Sequence, residues 1–269
     1  MIKIQDIRVR DPFIFVENNG YYLLGTTGND CWNAGSDLML YRSENLLEFE
    51  PLGRMVSDAW LQGYTNVWAP EMHRYNGGYY LIVSLFCKEE GRGSMIFSAE
   101  KITDQFTPLT GEYITPRGWG CLDATLFVWQ GKPYLVFSNE WTTPITNDGD
   151  GALFAAELSP DLRRIIGRPI KIVSGKYCGF AKEIESGGCR GYVAEGPYLV
   201  MEGQKIALYW STVTENGYCV VKSLADHIFG NYKTDKFIFD KDGGHAMLFT
   251  DLSGRQKLVL HYPNISPHE

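Results

Sequence analysis

The stretch of sequence that decides the fold is DPFIFVENNGYYLL, residues 11–24. It begins with a polar residue, continues as a short apolar run, turns at Asn19-Gly20 and ends in a second apolar run. Two apolar runs on either side of an Asn-Gly turn are typical of a β-hairpin. The stretch therefore predicts a hairpin whose first strand starts at Asp11.

The same unit returns four more times along the chain. Each copy has a polar lead residue, an apolar run, a turn that contains glycine and a second apolar run, and successive copies begin between 50 and 72 positions apart. The five lead residues are Asp11, Glu71, Asp123, Glu195 and His245. A four-stranded propeller blade takes about 40–50 residues, so each interval can hold one blade and a loop insertion.

The repeat predicts an all-β protein, a five-bladed β-propeller with four-stranded antiparallel blades around a central axis. We expect a single domain over residues 1–269. Runs such as residues 13–16 and 247–249 are apolar on both faces of the strand, as expected where neighbouring blades cover each other. A β-sandwich does not explain the long regular spacing, and a β-helix has much shorter coils.

Charge and hydropathy exclude several classes of partner. The formal net charge is −7, which argues against nucleic acid because phosphate binding needs a basic surface. No apolar run has the length of a membrane span. Residues 1–6 lack the basic start and apolar run of a secretory signal, so we expect a cytoplasmic protein.

The lead residues indicate a functional site on the axis. In a propeller the first strand of each blade lines the axis, so the lead residues are expected to converge there. Carboxylates that converge raise one another's pKa, which costs stability unless a function or a cation requires them. Taken singly, Asp11 is typical of an Asp-Pro turn, Asp123 of a strand end and Glu195 of a solvated loop. Their common place in the repeat favours catalysis.

At this point the sequence resembles a known family, glycoside hydrolase family 43, from about residue 8 to about residue 262. The segments that carry the resemblance are Arg10-Asp11-Pro12, Trp68-Ala69-Pro70-Glu71, Leu122-Asp123-Ala124, Ala194-Glu195-Gly196-Pro197 and Gly244-His245. The resemblance implies a five-bladed propeller that hydrolyses arabinofuranosides or xylosides with inversion of configuration.

The resemblance also implies a role for each axial residue. Asp11 matches the general base, Glu195 the general acid, and Asp123 the third carboxylate, which orients the acid and tunes its pKa. An inverting mechanism requires about 6.5–9.5 Å between the acid and base carboxyl groups, and we expect that separation here. His245 matches an axial histidine beside a calcium-centred water cluster. Calcium prefers oxygen ligands, so we expect any Ca²⁺ to be held largely through water.

Four further residues are candidates for binding the sugar. Trp68 lies at a blade start and could stack on a sugar ring, as could Trp141 and Trp32, which lie in polar or glycine-rich loops. Glu71 is equally compatible with a structural ion pair and with a contact to a sugar hydroxyl. Glu140 is expected to form a wall of the site, and His261, which is not a lead residue, has no predicted catalytic role.

The sequence therefore predicts an inverting glycosidase, an α-L-arabinofuranosidase or a β-D-xylosidase, whose partner is an arabinose- or xylose-containing saccharide. Two alternatives stay open. One is a fructosidase or a glycoside phosphorylase of a neighbouring propeller family. The other is a propeller that binds carbohydrate without catalysis, since propellers serve many functions.

Overall fold

The computed structural model describes residues 1–28, 37–143 and 148–264. Within these ranges the chain is almost entirely β-structure, with one short α-helix, α1 (Asp58–Leu61), and one 3₁₀ turn, Ile4–Asp6. No helix in the described ranges has the length and apolar character needed to cross a membrane. The strands of the described ranges form six sheets, five of which surround a common axis and are numbered as blades 1 to 5 in chain order.

Four of the blades are antiparallel meanders of at least four strands. Blade 1 contains β1 (Ile2–Lys3), β2 (Val9–Glu17), β3 (Gly20–Thr27), β4 (Met39–Ser43) and β5 (Glu48–Arg54). Blade 2 contains β6 (Thr65–Tyr75), β7 (Gly78–Cys87), β8 (Gly91–Ala99) and β9 (Thr107–Pro108). Blade 3 contains β10 (Cys121–Trp129), β11 (Lys132–Asn139), β12 (Ala152–Leu158) and β13 (Ile165–Ser174). A two-stranded sheet, β14 (Ile184–Ser186) and β15 (Cys189–Gly191), precedes blade 4, which contains β16 (Glu195–Glu202), β17 (Lys205–Thr214), β18 (Gly217–Ala225) and β19 (Lys233–Phe239).

Blade 5 differs from the other four. It contains two strands, β20 (Gly244–Thr250) and β21 (Gln256–His261), and only residues 262–264 of the described chain follow them. The prediction of four strands in each blade thus holds for blades 2 to 4. Blade 1 has a fifth strand, β1, paired with β5, and blade 5 has two strands in the described part of the chain.

The inner strands close a ring. Each of β2, β6, β10 and β16 contacts the inner strand of the next blade, and β20 of blade 5 contacts β2 of blade 1. Five inner strands therefore surround one axis, which confirms the predicted five-bladed β-propeller. Apolar side chains of the first and second strands fill the spaces between blades. Fully buried examples on four successive second strands are Leu24, Leu81, Leu135 and Leu208.

Each inner strand carries a β-bulge close to its start. The pairing register shifts after Arg10, Trp68, Leu122, Glu195 and Gly244. The next residue has a positive φ in every blade, with values of 49° at Asp11, 43° at Ala69, 52° at Asp123, 57° at Gly196 and 51° at His245. Positive φ is uncommon for residues other than glycine, and bulges redirect side chains next to active sites.

The bulges correct one assumption of the sequence analysis. Asp11, Asp123 and His245 do occupy equivalent positions, as predicted. Glu195 lies one residue before its bulge, where Gly196 takes the positive φ, and Glu71 lies two residues after Ala69. The five lead residues therefore stand at three different levels of the axis, because the bulge sets the level and the apolar pattern does not reveal which residue forms it.

The packing between blades generates a prediction about stability. Leu208 of β17 is fully buried, so Leu208→Ala is expected to lower the free energy of unfolding by about 2–5 kcal/mol through lost burial and the cavity left behind. Denaturant unfolding would measure it. The matched control is Met201→Ala in β16, where the side chain is 48% exposed and the expected change is below about 0.5 kcal/mol. Equal losses in both variants would contradict the packing described.

Candidate active site

A cavity of about 180 Å³ lies where the inner strands start. It is lined by Arg10, Asp11, Thr26, Trp68, Leu122, Asp123, Glu140, Glu195 and His245. The structure thus brings together three predicted catalytic residues, the axial histidine and one predicted platform, Trp68. A larger cavity of about 760 Å³ lies between blades 1 and 5, but its lining is mainly apolar, so the chemistry belongs to the smaller one.

The bulges that carry these side chains are each held by the preceding blade. The residues of the second strands that pair opposite the bulges are Thr26, Ser84, Ser138, Ser211 and His261. Ser84 Oγ accepts a hydrogen bond from the Asp123 N–H at 2.8 Å, and Ser211 Oγ accepts one from the His245 N–H at 2.8 Å. His261 Nδ1 accepts the Asp11 N–H at 3.2 Å, so the base candidate in blade 1 is fixed from blade 5.

Two equivalent bonds complete the ring around the axis. Thr26 Oγ1 accepts the Ala69 N–H at 2.8 Å, and Ser138 Oγ donates to the Ala194 carbonyl at 2.6 Å, directly before Glu195. Each buried backbone group at a bulge would otherwise lack a partner, and an unpaired buried polar group costs about 1–3 kcal/mol. The unusual backbone at the site is therefore maintained by contacts between blades.

Asp11 is held in its ionised form. Thr26 Oγ1 donates to Asp11 Oδ2 at 2.6 Å, and His245 Nδ1 lies 3.2 Å from Asp11 Oδ1. Burial opposes ionisation, but the attraction of His245 and Arg10 together with the Thr26 hydrogen bond keeps the pKa of Asp11 below its ordinary value. A carboxylate that stays ionised down to low pH suits a general base.

Glu195 and Asp123 are shifted in the opposite direction. Burial raises the pKa of Glu195, although Tyr218 Oη donates to Glu195 Oε1 at 2.7 Å and partly opposes the shift. Burial, together with the nearby charges of Glu195 and Asp11, raises the pKa of Asp123 to about 7. Asp123 Oδ2 also accepts the Gly196 N–H at 3.1 Å, which ties it to the residue after Glu195. This pair can hold a proton near neutral pH, as a general acid must.

His245 supplies positive charge to the axis. Its Nδ1 lies 3.2 Å from Asp11 Oδ1 and 3.8 Å from Asp123 Oδ2. Burial lowers the pKa of His245, but the surrounding carboxylates outweigh burial and raise it above its ordinary value. This shift favours the protonated imidazole, whose positive charge compensates the neighbouring carboxylates.

The calcium that the resemblance implies does not fit this donor set by direct ligation. Among the described residues there is no group of three or more His, Cys, Asp or Glu side chains placed to hold a metal. Ca²⁺ prefers oxygen ligands, whereas His245 offers ring nitrogens, of which Nδ1 already faces Asp11 Oδ1 at 3.2 Å. We derive no step through calcium, and an ion held through water stays a prediction.

The other predicted sugar contacts are distributed differently. Arg92 Cζ lies 3.8 Å from the centroid of the Trp68 ring, and Arg92 Nε lies 3.8 Å from Glu140 Oε2. Glu140 also lines the cavity, as expected of a wall residue. Glu71 is 5% exposed and its Oε2 lies 3.0 Å from His73 Nε2, so its carboxyl group contacts a neighbouring side chain of the same strand. Neither Glu71 nor Trp141 belongs to the described lining of the cavity.

Two tryptophans that were predicted to stack on a sugar ring, Trp141 and Trp32, are not part of the described cavity lining. Trp141 is half-buried, and its ring packs close to the Cα of Gly191 in β15. Trp32 lies outside the described residues. Neither position supplies evidence for a stacking role, so both stay predictions.

Several site residues were missed by the sequence reasoning. Arg10 and Thr26 line the cavity, Tyr218 hydrogen-bonds Glu195, and His261 holds the backbone of Asp11. Aligning the second strands of the five hairpins would have placed His261 beside Thr26 and the three serines opposite the other bulges. Tyr218 begins a third strand, outside the hairpin repeat, and no sequence pattern singles it out.

The fold and the site together define a class of protein. A propeller whose axis holds one carboxyl group with a lowered pKa and two with raised pKa values has the parts that glycosidases use, an acid for the leaving oxygen and a base for water. A family comparison agrees. The family model described as "Glycosyl hydrolases family 43" matches residues 4–268, so this chain belongs to that family. The resemblance drawn from the blade-start segments is thereby confirmed.

Individual relatives point in the same direction. The chain is 27% identical over 221 residues to an α-L-arabinofuranosidase 43 of Humicola insolens, covering 78% of this chain and 42% of that protein. It is 29% identical over 167 residues to an extracellular exo-α-(1→5)-L-arabinofuranosidase of Streptomyces chartreusis, covering 60% of this chain and 47% of that protein. This chain thus spans less than half the length of these curated relatives.

A solved structure covers more of the chain. The crystal structure of an endo-arabinase from Bacteroides thetaiotaomicron superposes with a TM-score of 0.88 at 30% identity, and covers 98% of this chain and 93% of that one. This chain therefore shares its fold, over nearly its whole length, with that endo-arabinase.

The opposed pKa shifts predict the pH dependence of activity. If Asp11 is the base, activity should fall as pH drops through its lowered pKa, and if Glu195 is the acid, activity should fall as pH rises through its raised pKa. Asp123→Asn removes a neighbouring negative charge, so the alkaline limb of kcat/KM should move to lower pH. The measurement is a pH profile on an arabinofuranoside. Asp226→Asn, at a largely exposed side chain, is the control and should leave the profile unchanged. An alkaline limb that stays in place in Asp123→Asn would contradict the electrostatic account.

Proposed function

We propose that this protein hydrolyses α-L-arabinofuranosidic bonds with inversion of configuration. Asp11 acts as the general base, Glu195 as the general acid, and Asp123 raises the pKa of the acid and orients it. The observation that carries the proposal is the pair of opposed pKa shifts at one cavity, downward for Asp11 and upward for Glu195. Pairs of titratable groups whose surroundings push their pKa values apart mark the base and the acid of a site.

The proposed reaction needs four participants. Asp11 takes a proton from a water that attacks the anomeric carbon, while Glu195 gives its proton to the leaving oxygen on the opposite side. The Gly196 N–H keeps Asp123 next to the acid, and a positive charge on His245 offsets the negative charge of Asp11 and Asp123 when they ionise. After each turnover the proton on Asp11 must return to solvent and Glu195 must be protonated again.

Arabinose is favoured over xylose by the named relatives. Both curated proteins are described as arabinofuranosidases, and the solved structure at 30% identity is described as an endo-arabinase. A structure described as an endo-1,4-β-xylanase matches at 21% identity, which supports the fold alone. We therefore propose an arabinose-containing saccharide as the substrate.

The cavity supports binding of one sugar unit at the reacting position. Its volume of about 180 Å³ is below the roughly 300–1,000 Å³ of sites for drug-sized ligands. The next sugar units would lie against the rim on the side of Trp68, which lines the cavity and is covered on one face by Arg92. Product analysis on linear arabinan would separate release of single arabinose units from internal cleavage.

The acid and base roles predict different losses on different substrates. An aryl arabinofuranoside has a good leaving group and needs little help from an acid, whereas an α-1,5-linked arabino-oligosaccharide needs full protonation. We expect Glu195→Gln to lose about 10²–10⁴-fold in kcat on the oligosaccharide and less on the aryl substrate. Asp11→Asn should lose a similar factor on both, because attack by water is common to both reactions.

The matched control for these variants is Glu44→Gln, at a side chain that is 73% exposed in the β4–β5 turn, and it should keep wild-type rates. A Glu195→Gln enzyme with full activity on the oligosaccharide would contradict the assignment of the acid. Turnover that requires inorganic phosphate would favour a phosphorylase. Hydrolysis of fructosides would favour a fructosidase, and saccharide binding without turnover would favour a non-catalytic propeller.

A further inference from the structure

We propose that Tyr218 and His261 are positioning residues, which form a stacked pair that holds the acid Glu195 and the base Asp11 in one fixed geometry. The proposal rests on the roles proposed above for Asp11 and Glu195. It assigns a function to two residues of blades 4 and 5 that the hairpin repeat does not mark.

Tyr218 is fixed at both ends. Its side chain is almost fully buried, and its hydroxyl donates to Glu195 Oε1 at 2.7 Å. Its N–H donates to Asp242 Oδ1 at 3.2 Å, and its carbonyl accepts the Gly243 N–H at 2.9 Å. A phenol anchored at its backbone and packed in the core can present its hydroxyl in one place only, so it restricts the rotamer of the carboxyl group that it contacts.

The ring of Tyr218 also packs against the start of β20. A Cβ atom added at Gly244 would lie 2.1 Å from Tyr218 Cε1 and 2.4 Å from Cδ1. Gly244 immediately precedes His245, so the tyrosine ring touches the bulge that carries the axial imidazole. A residue without a side chain is needed there because the ring occupies the space.

His261 joins this ring to the base. The imidazole of His261 stacks on the Tyr218 ring, with centroids 5.7 Å apart and planes inclined by 16°. Its Nδ1 accepts the Asp11 N–H at 3.2 Å, which places the ring proton on Nε2, and Nε2 then donates to Asn264 Oδ1 at 3.1 Å. Arg10 Nη2 donates to the same Asn264 oxygen at 2.6 Å.

His261 stays neutral in this arrangement. Burial and the nearby Arg10 lower the pKa of His261 to about 4, so its Nδ1 keeps the lone pair that accepts the Asp11 N–H at any higher pH. The contacts therefore form a continuous path from Glu195 through Tyr218 and His261 to the backbone of Asp11.

The other four blades show why His261 is more than a structural hydrogen-bond acceptor. The equivalent positions hold Thr26, Ser84, Ser138 and Ser211, and their hydroxyl groups already suffice to hold a bulge. A hydroxyl could hold the Asp11 N–H in the same way. The imidazole adds a flat surface for Tyr218, and His261 lies in blade 5, between the proposed acid in blade 4 and the proposed base in blade 1.

The electrostatic surroundings of the two carboxyl groups make the proposal testable by pH. Glu195 is faced by Tyr218 and by the charges of His245, Asp11, Glu140 and Asp123. Asp11 is faced by His245, His261, Arg10 and Thr26. The Tyr218 hydroxyl stabilises the ionised form of Glu195, so its removal should raise the pKa of the acid and leave the pKa of the base in place.

The first test is Tyr218→Phe, with pH profiles on the arabino-oligosaccharide. We expect the alkaline limb of kcat/KM to move to higher pH, the acid limb to stay, and kcat at the optimum to fall about tenfold with KM changed less than about twofold. Tyr209→Phe is the matched control, since Tyr209 is a buried tyrosine of the same blade whose hydroxyl lies near Lys222. An unchanged alkaline limb in Tyr218→Phe would overturn the proposal.

The second test compares His261→Asn, which keeps an acceptor for the Asp11 N–H, with His261→Leu, which does not. The asparagine variant should retain several-fold more kcat than the leucine variant, and combining it with Tyr218→Phe should cost less than the product of the two separate losses. Equal kcat values in two folded variants, or fully multiplicative losses in the double variant, would overturn the proposal. Thermal unfolding checks that each variant is folded, and the double variant decides if His261→Leu does not fold.

The activity assays of these variants also distinguish failure of this proposal from failure of the proposed function. If Glu195→Gln or Asp11→Asn keeps full activity, the catalytic roles fail and the stacked pair has nothing to position. If both are inactive while Tyr218→Phe keeps the wild-type profile, the catalytic roles stand and the positioning proposal alone fails.

Discussion

The hydrogen bond between blades at each bulge is the contact on which the rest of the structure depends. It lets a residue other than glycine keep a positive φ at Asp11, Asp123 and His245, and it fixes where those side chains meet on the axis. The bond from the Asp11 N–H to His261 has a second consequence, since it joins the last blade to the first. Closure of the propeller and placement of the base thus share one contact.

The charges at the axis follow from this geometry. Three carboxyl groups brought together in a cavity cannot all ionise freely. His245 favours the ionised form of Asp11, whereas burial raises the pKa values of Glu195 and Asp123. The result is a cavity in which the pKa of Asp11 is lowered while the pKa values of Glu195 and Asp123 are raised. Acid–base chemistry at neutral pH requires that difference, which arises because Asp11 has the shorter contact with His245 and also accepts the Thr26 hydrogen bond.

Much of the fold could be predicted because each blade repeats its hairpin in the sequence, and convergence of Asp11, Asp123 and His245 followed from it. The offset of Glu195 and Glu71 could not, since the apolar pattern shows where a strand runs and does not show which residue forms the bulge. Tyr218 lies on a third strand, where no repeat marks it. Blade 5, which has two strands in the described part of the chain, also differs from the prediction, because the hairpin signal covers only first and second strands.

The most direct test of the account is the configuration of the sugar at the moment of release. Proton NMR of the first-formed arabinose from an α-L-arabinofuranoside distinguishes the two anomers before mutarotation mixes them. The account predicts the β-anomer, because Asp11 activates a water on the side opposite the leaving group, across the roughly 6.5–9.5 Å that inversion requires. First appearance of the α-anomer would show retention through a covalent intermediate, and it would contradict the assignment of Asp11 as a base.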